Sequence, residues 1–466
     1  MKVLLIWPFN AQGVEIRELF PIGLGYLLAN IDYGRYDVKI LDCTLDRIRP
    51  ESRELASRLA AFRPDVVGIS FWSSNADSVY RTVRAIRDVV PGAKIVFGGP
   101  HATSYGEYEI RSRRADFVIA GEGERSFPML LDAIADDSVK GFSTIPGLVY
   151  MGRDGTVVSN PVVFEKDLDT LGYVDYKVLR LEDYHKAGYS YSGSAVLHSN
   201  LRTALILATR GCAYRCRFCS APIISGRRIR FHSPGYIART IKNLYEEFNV
   251  RVISMGDDNF TLKQDYAMAL CRAVIDLNLE DLIMAAPNGI RMTRMTPELA
   301  RLMRRAGFEE VTIAPESGSP RTLELMHKDM ELEKVEPFVR MCHNAGLKVK
   351  ANFIIGYPGE TMEDVLLTER FIKDNDFDQI GLCFFQPLPG TPIFNELVAK
   401  GEIDESFVPG RYNQLTYCPQ GMDKEDLCMV FNRIMNDFRD SKGWRYKNGR
   451  VGTIRQYKST GTDDLP

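Results

Sequence analysis

The sequence predicts an α/β protein: an N-terminal Rossmann-like domain, then a partial (β/α)6 barrel, then a C-terminal cap. Three observations predict it. Strand and helix patterns alternate in two separate runs, an aperiodic stretch divides those runs, and glycine-rich or polar clusters follow the strand patterns. A chain of 466 residues also exceeds what one core holds, so two or three domains are expected.

Residues 1–137 form the first run. VLLIWPF, VKILDC, DVVGISFW, KIVFGGP and FVIAGEGE read as strands, while LGYLLANI, RELASRLAAF and SVYRTVRAIRDVV space apolar residues at helical intervals. Strands rich in Val and Ile, separated by helices, predict a parallel sheet covered on both faces. A ligand then belongs at the carboxyl ends of the strands, near Ser70, Gly98, Gly99 and the Gly121-Glu122-Gly123-Glu124 turn.

Residues 138–200 sustain no period and are expected to connect the domains. Within them PGLVYMGRDGTVVSN reads as a hairpin around Asp154-Gly155. Residues 201–398 resume the alternation with ALILATRG, VRVISMGDD, LIMAAPNG, EEVTIAPES, KVKANFIIGYPG and QIGLCFFQPLPG. Helical stretches such as DYAMALCRAVIDL and PELARLMRRAG lie between them. Six strand-helix units predict a second parallel sheet curved as a partial barrel, with its site at the strand ends. Residues 399–466 are expected to cap the barrel mouth against solvent. Their tail, SKGWRYKNGRVGTIRQYKST, reads as a solvated surface or a substrate-binding patch.

A formal net charge of -2 argues against a general nucleic-acid binder, while leaving room for a local basic patch. The opening MKVLLIWPFNAQGVEI has too short an apolar run for a signal peptide and lacks a small-residue cleavage site. No apolar run reaches the roughly 18 residues of a membrane span. A cytoplasmic protein is expected. Of nine cysteines, Cys43, Cys271, Cys342, Cys383, Cys418 and Cys428 stand singly among apolar neighbours. In a reducing compartment these read as small buried hydrophobes.

The other three cysteines cluster. TRGCAYRCRFCSAP sets Cys212, Cys216 and Cys219 in a C-x3-C-x2-C spacing. Thiolates bind soft metals, and three on one loop match three irons of a [4Fe-4S] cube. No fourth cysteine follows in the loop, which leaves one iron open, as in a catalytic rather than a structural metal site. A partial zinc site or plain core packing are the simpler readings.

Placed after the first strand of a partial barrel, C-x3-C-x2-C resembles the radical S-adenosylmethionine (SAM) superfamily. The resemblance implies that the amino and carboxylate groups of SAM chelate the fourth iron. It also implies reductive cleavage of SAM to a 5′-deoxyadenosyl radical that abstracts hydrogen from the substrate. Tyr214 and Phe218 match the aromatic filler around such a cluster. The similarity runs to about residue 395. Asp257 and Asp258, in MGDD, match acidic groups near the SAM ammonium, which suits a carboxylate by charge; the simpler reading is a helix N-cap. Asn288 and Arg291, in PNGIRM, match ribose- and carboxylate-facing positions. Glu316 and Ser317, in PESGS, match the next SAM-contacting segment or else cap a helix. Gly356, in IIGYPGE, matches a position where backbone meets adenine, an approach that glycine permits. The Pro389-Gly390-Thr391-Pro392 turn is assigned shape and not chemistry.

The first domain resembles the cobalamin-binding domain that precedes many radical SAM barrels. PIGLGYLLANI, VGIS, GGPHAT and GEGE occur in the expected order. A histidine ligand to cobalt normally comes from D-x-H-x-x-G after the first strand, and WPFNAQGVEI there holds no histidine. A literal match from Asp183 through His185 to Gly188 falls in the connector, which makes His185 a surface or interdomain residue. His101 is expected to line the pocket, and Trp72 to stack on a corrin or fill its space. Cobalamin is therefore expected as an optional cofactor beside the [4Fe-4S] cluster and SAM.

Two reactions follow from the resemblance. With cobalamin, it implies methyl transfer to an unactivated carbon. Without it, hydrogen abstraction leads to dehydration, deoxygenation or rearrangement, as in radical SAM diol-dehydratases acting on aminoglycosides. The missing histidine tips the expectation toward dehydration of a small polar, sugar-like natural-product intermediate, with C-methylation the alternative. Such a dehydration needs a general acid or base beside the radical carbon, and Tyr214, Asp258 and Glu316 are the catalytic candidates. A non-catalytic cobalamin or redox sensor is the reading of another class. An RNA methylthiotransferase would carry an RNA-binding barrel that the C-terminal segment does not resemble. The expected partners are a small-molecule substrate and an external flavodoxin- or ferredoxin-type electron donor, with neither membrane nor nucleic acid.

Overall fold

The computed structural model describes residues 1–10, 20–136, 139–190 and 201–441. In the first domain, β1 (Lys2–Trp7), β2 (Asp37–Asp42), β3 (Val66–Ser70), β4 (Lys94–Gly98) and β5 (Phe117–Ile119) run parallel. The hairpin of β6 (Leu148–Met151) and β7 (Val157–Ser159) then adds two antiparallel strands beside β5. The order is β2-β1-β3-β4-β5-β6-β7. The sheet is therefore mixed, and the hairpin expected in the connector extends the first sheet.

Side chains alternate between the two faces of a strand. Val3, Leu5 and Trp7 enter the core that continues into the second domain, while Leu4 and Ile6 enter a separate core. That second core also holds Leu55 and Leu59 of the helix Arg53–Phe62 and Val79, Val83 and Ile86 of the helix Ala76–Val89. Helix Arg53–Phe62 starts where the Ser52 hydroxyl accepts from Leu55 N at 3.2 Å and stops at the left-handed Arg63. Because β1 pairs with β2 on one side and β3 on the other, strand order reverses there. Such a reversal is where open α/β sheets bind ligands, here at the carboxyl ends of β1 and β3.

The second domain comprises β8 (Thr203–Ile206), β9 (Thr209–Arg210), β10 (Arg230–Phe231), β11 (Val252–Met255), β12 (Ile283–Ala285), β13 (Glu310–Glu316), β14 (Lys348–Ile355) and β15 (Gln379–Phe384). Six of these form two parallel sheets, β8-β11-β12 and β13-β14-β15, joined by a parallel bridge between Met284 and Phe308. The six strands thus follow chain order, as the partial barrel requires. The short strands β9 and β10 pair antiparallel and bracket the cysteine loop.

One apolar core runs from Leu5 and Leu130 through Ala204, Ile253 and Phe353 to Phe431. It binds the two domains and the cap together. In the cap, the helix Lys424–Ser441 stacks Phe431 on Phe384 at 4.4 Å and pairs Arg433 with Glu369 at 2.6 Å. Phe384 N donates to Tyr412 O at 2.8 Å, so the cap closes over the carboxyl end of β15. The polar tail after Ser441 lies outside the described residues. No described helix is long and apolar enough to cross a membrane.

Candidate active site

The cysteine loop leaves β9 through Gly211, whose φ of +96° is left-handed. A Cβ there would lie 2.6 Å from Arg228 O and 3.0 Å from Gly226 O, so the loop closes too tightly for a side chain. Cys212 N donates to Gly226 O at 3.0 Å, and Cys219 N to Cys216 O at 3.3 Å. All three thiols are free and partly exposed. Burial pushes the Cys219 thiol up to about 12, with Cys216, Asp258 and Cys212 adding to the shift. Burial also raises Cys212, with Asp258 and Cys216 again adding. The thiols therefore sit within one another's fields, with Asp258 facing them.

That arrangement fits one class of metal better than another. Among the described residues, no three metal-binding side chains converge as ligands of a single ion do. A cubane takes one thiolate per iron and needs no such convergence. Positive irons would also reverse the mutual repulsion that now disfavours the thiolates. Three free thiols on one tied loop thus suit an iron-sulfur cube.

Several expected residues gather around the loop. The Arg291 guanidinium lies 4.1 Å from the centre of the Tyr214 ring. It also pairs with the Asp329 carboxylate at 3.1 Å and bonds its carbonyl. Asp258 is half-buried without a hydrogen-bond partner among the described residues, and burial raises its pKa. Glu316 ends β13 at a φ of +72° and accepts from Lys328 Nζ at 2.9 Å. Burial opposes the charge on Lys328, yet Glu316 and Cys216 outweigh it and hold its pKa above the ordinary value. Asn288 Nδ2 donates to Gly256 O at 2.9 Å, tying β12 to β11 while its side chain stays exposed.

Three expected residues face elsewhere. Asp257 is 3% exposed, and both its oxygens accept from the backbone N–H groups of Ala208 and Thr209. Burial still pushes it up to about 7. It braces the segment entering the cysteine loop instead of awaiting an ammonium. Ser317 is fully buried, its hydroxyl 3.0 Å from Thr368 Oγ1 and accepting from Ser319 N at 3.1 Å. Gly356, at φ +79°, presents its missing side chain to Leu427 Cδ2 at 3.0 Å, so its close approach is to the cap.

Residues 206–372 match the radical SAM superfamily and residues 17–131 the B12 binding domain. The chain carries a B12-binding domain followed by a radical SAM domain. It is 28% identical over 405 residues to an uncharacterized methyltransferase of Pyrococcus horikoshii, covering 86% of this chain and 83% of the relative. It is 26% identical to the cytidylyl-2-hydroxyethylphosphonate methyltransferase of Streptomyces wedmorensis, covering 95% and 90%. Among solved structures, the radical SAM methyltransferase TsrM of Kitasatospora setae, with cobalamin and a [4Fe-4S] cluster bound, superposes with a TM-score of 0.69 at 20% identity. That match covers 86% of this chain and 75% of TsrM. The cobalamin-dependent radical SAM enzyme OxsB superposes at 0.72 with 16% identity, covering 95% and 67%.

In the B12-binding domain, two indole rings meet at the strand ends where the order reverses. Trp7 ends β1 and Trp72 follows β3, their rings edge-on at 5.4 Å. Trp72 is 37% exposed, and the buried Trp7 Nε1 has no partner among the described residues. Gly98 ends β4 with nothing within 4 Å of where a Cβ would stand, which leaves room for a ligand beside Ser70. An orphaned indole N–H and an open glycine at the switch of strand order fit a bound corrinoid. Two expected pocket residues turn inward. His101 is 2% exposed, with Ser73 Oγ at 2.9 Å from Nδ1 and Tyr80 and Glu109 at 3.1 and 3.2 Å from Nε2. Gly99 packs against Ser70 Oγ and Phe71, where a Cβ would stand at 2.7 and 2.9 Å. His185 sits between domains, its Nε2 2.9 Å from Thr203 O at the start of β8.

Lys328 joins the candidate site through Glu316 and Cys216, and sequence reasoning missed it. It follows the short helix Pro320–Leu325 in MHKD, where a lysine reads as solvated. The GEGE turn also has a role its motif did not announce. Glu122 lies 2.7 Å from Arg230, and Glu124 lies 2.7 Å from Arg210, across the domain boundary.

Proposed function

We propose that the chain is a cobalamin-dependent radical SAM methyltransferase acting on a carbon of a small molecule. The observation that carries this reading is a B12-binding domain, with an open glycine at its strand ends, packed on a barrel with free clustered thiols. Its near-full-length relatives named as methyltransferases support it. They favour the C-methylation alternative over the dehydration expected from the missing histidine.

When bound, the cluster supplies the electron that breaks SAM, and the corrinoid supplies the methyl group. The protein's own groups do the rest. Cys212, Cys216 and Cys219 hold iron. Asp258, desolvated and without a hydrogen-bond partner among the described residues, would take the SAM ammonium. Arg291 and Lys328 would take its carboxylate by charge, with the Tyr214 ring against Arg291. Glu316 keeps Lys328 charged and in place. Ser70, Trp72 and Gly98 border the corrinoid. The cap excludes water from the barrel mouth, where a radical would otherwise be quenched.

The test uses protein purified without oxygen from cells supplied with cobalamin, assayed for iron, sulfide and corrinoid. The same preparation then receives SAM and a strong reductant. Formation of both S-adenosylhomocysteine and 5′-deoxyadenosine, with about one corrinoid per chain, is expected. 5′-Deoxyadenosine alone, with no corrinoid, would return the reading to elimination or rearrangement. Neither product would indicate a sensor.

A further inference from the structure

Arg210 and Arg230 flank the cysteine loop on β9 and β10, and both reach back to the GEGE turn of the first domain. Arg230 donates from both terminal nitrogens to Glu122 at 2.7 Å, a bidentate pair. Arg210 Nη1 lies 2.7 Å from Glu124 and 3.3 Å from Glu122. These side chains are between 4% and 12% exposed. Two guanidinium groups and two carboxylates thus form a neutral cluster buried at the domain boundary.

Its connections lead to the thiols. Arg210 directly precedes Gly211 and Cys212. Arg230 also donates to Ser225 O at 2.7 Å, beside the Gly226 carbonyl that accepts from Cys212 N. Both ends of the loop are therefore held by the same charge cluster. Aromatic faces complete it: Tyr26 of the first domain lies 4.6 Å from Arg210, and Phe164 lies 5.0 Å from Arg230.

Such a cluster is a poor source of stability. Desolvating four charges costs nearly what their attraction returns, and both arginine Nε atoms are buried without a partner among the described residues. What it supplies is direction, because a bidentate pair tolerates little rotation. We propose that Glu122, Glu124, Arg210 and Arg230 are positioning residues that register the cysteine loop against the B12-binding domain. The proposal rests on the reading of that loop as the cluster site. The first domain then sets where the iron site stands relative to its own strand-end crevice.

The test is the full chain carrying Glu122→Gln and Glu124→Gln, purified without oxygen and reconstituted with iron and sulfide. Hydrogen exchange at the amides of Cys212 and His232, which bond to Gly226 O and Ala208 O, reads the loop and ribbon directly. The electron paramagnetic resonance spectrum of the reduced cluster, with and without SAM, reads the iron environment. Expected results are exchange about tenfold faster at both amides and an altered SAM-induced spectral change. Arg230→Lys, which keeps charge but loses the fork, should fall between wild type and the double variant. If the double variant fails to fold, Glu124→Gln alone leaves the Glu122–Arg230 pair intact and is scored on the same amides. Exchange and spectrum both unchanged would overturn the proposal. A wild type that forms no 5′-deoxyadenosine would instead overturn the functional reading, while the exchange rates would still decide the clamp.

Discussion

Lys328 Nζ stands 2.9 Å from Glu316 Oε1, with both side chains 10% exposed and the Cys216 thiol close enough to favour the ammonium. Removing one partner leaves a buried charge unpaired. Glu316→Gln is therefore expected to cost on the order of 3 kcal/mol in urea unfolding and to weaken SAM binding. Adding Lys328→Met to that variant should recover part of the stability but none of the SAM affinity. Equal recovery of both would leave the pair no role beyond packing.

Gly356 separates two explanations of one glycine. A Cβ there meets Leu427 Cδ2 at 3.0 Å, and φ of +79° strains any other residue. Gly356→Ala should destabilise the protein by about 1 to 3 kcal/mol, the sum of backbone strain and crowding at the cap. Leu427→Ala in the same chain should relieve the crowding part. SAM affinity measured well below the melting temperature should barely change. A large loss of affinity there would restore the adenine-facing role.

His232 makes the ribbon sensitive to acid. Burial lowers its pKa to about 4, Asp169 opposes this, and Arg210 adds to the lowering. Nδ1 lies 3.0 Å from Asp169, and Tyr26 and Tyr236 stack on the ring at 6.1 and 4.0 Å. At neutral pH the contact is thus a hydrogen bond and not an ion pair. The unfolded chain, with an ordinary histidine pKa near 6.5, binds more protons between about pH 6.5 and 4. Stability from this group is complete above pH 6.5 and lost as pH falls toward 4, on the order of 3 kcal/mol. His232→Asn should flatten that part of the curve of unfolding free energy against pH. An unchanged slope would show that other groups carry it.

Much of this was legible in the residues themselves. The strands of the first sheet and the six of the barrel follow from local apolar periodicity, which reflects side-chain direction within a single element. The three cysteines lie within eight residues, so one loop must carry all three thiols. Asp258, Arg291, Tyr214 and Glu316 were expected near the loop and gather there. His101, Gly99, Asp257 and Ser317 fit the motif equally well and serve the interior. A motif records spacing along the chain, whereas burial of a side chain depends on what packs over it from elsewhere.

Sequence by itself determined the order of elements, the thiol cluster and the two-domain plan, because each is encoded by neighbours in the chain. Tertiary structure decided the rest. Lys328 became a site residue, the hairpin joined the first sheet, Gly356 turned to the cap, and GEGE became a clamp on Arg210 and Arg230. Glu122 and Arg230 are 108 positions apart. No local propensity links residues at that separation; folding brings them together, and desolvation then makes their pairing obligatory.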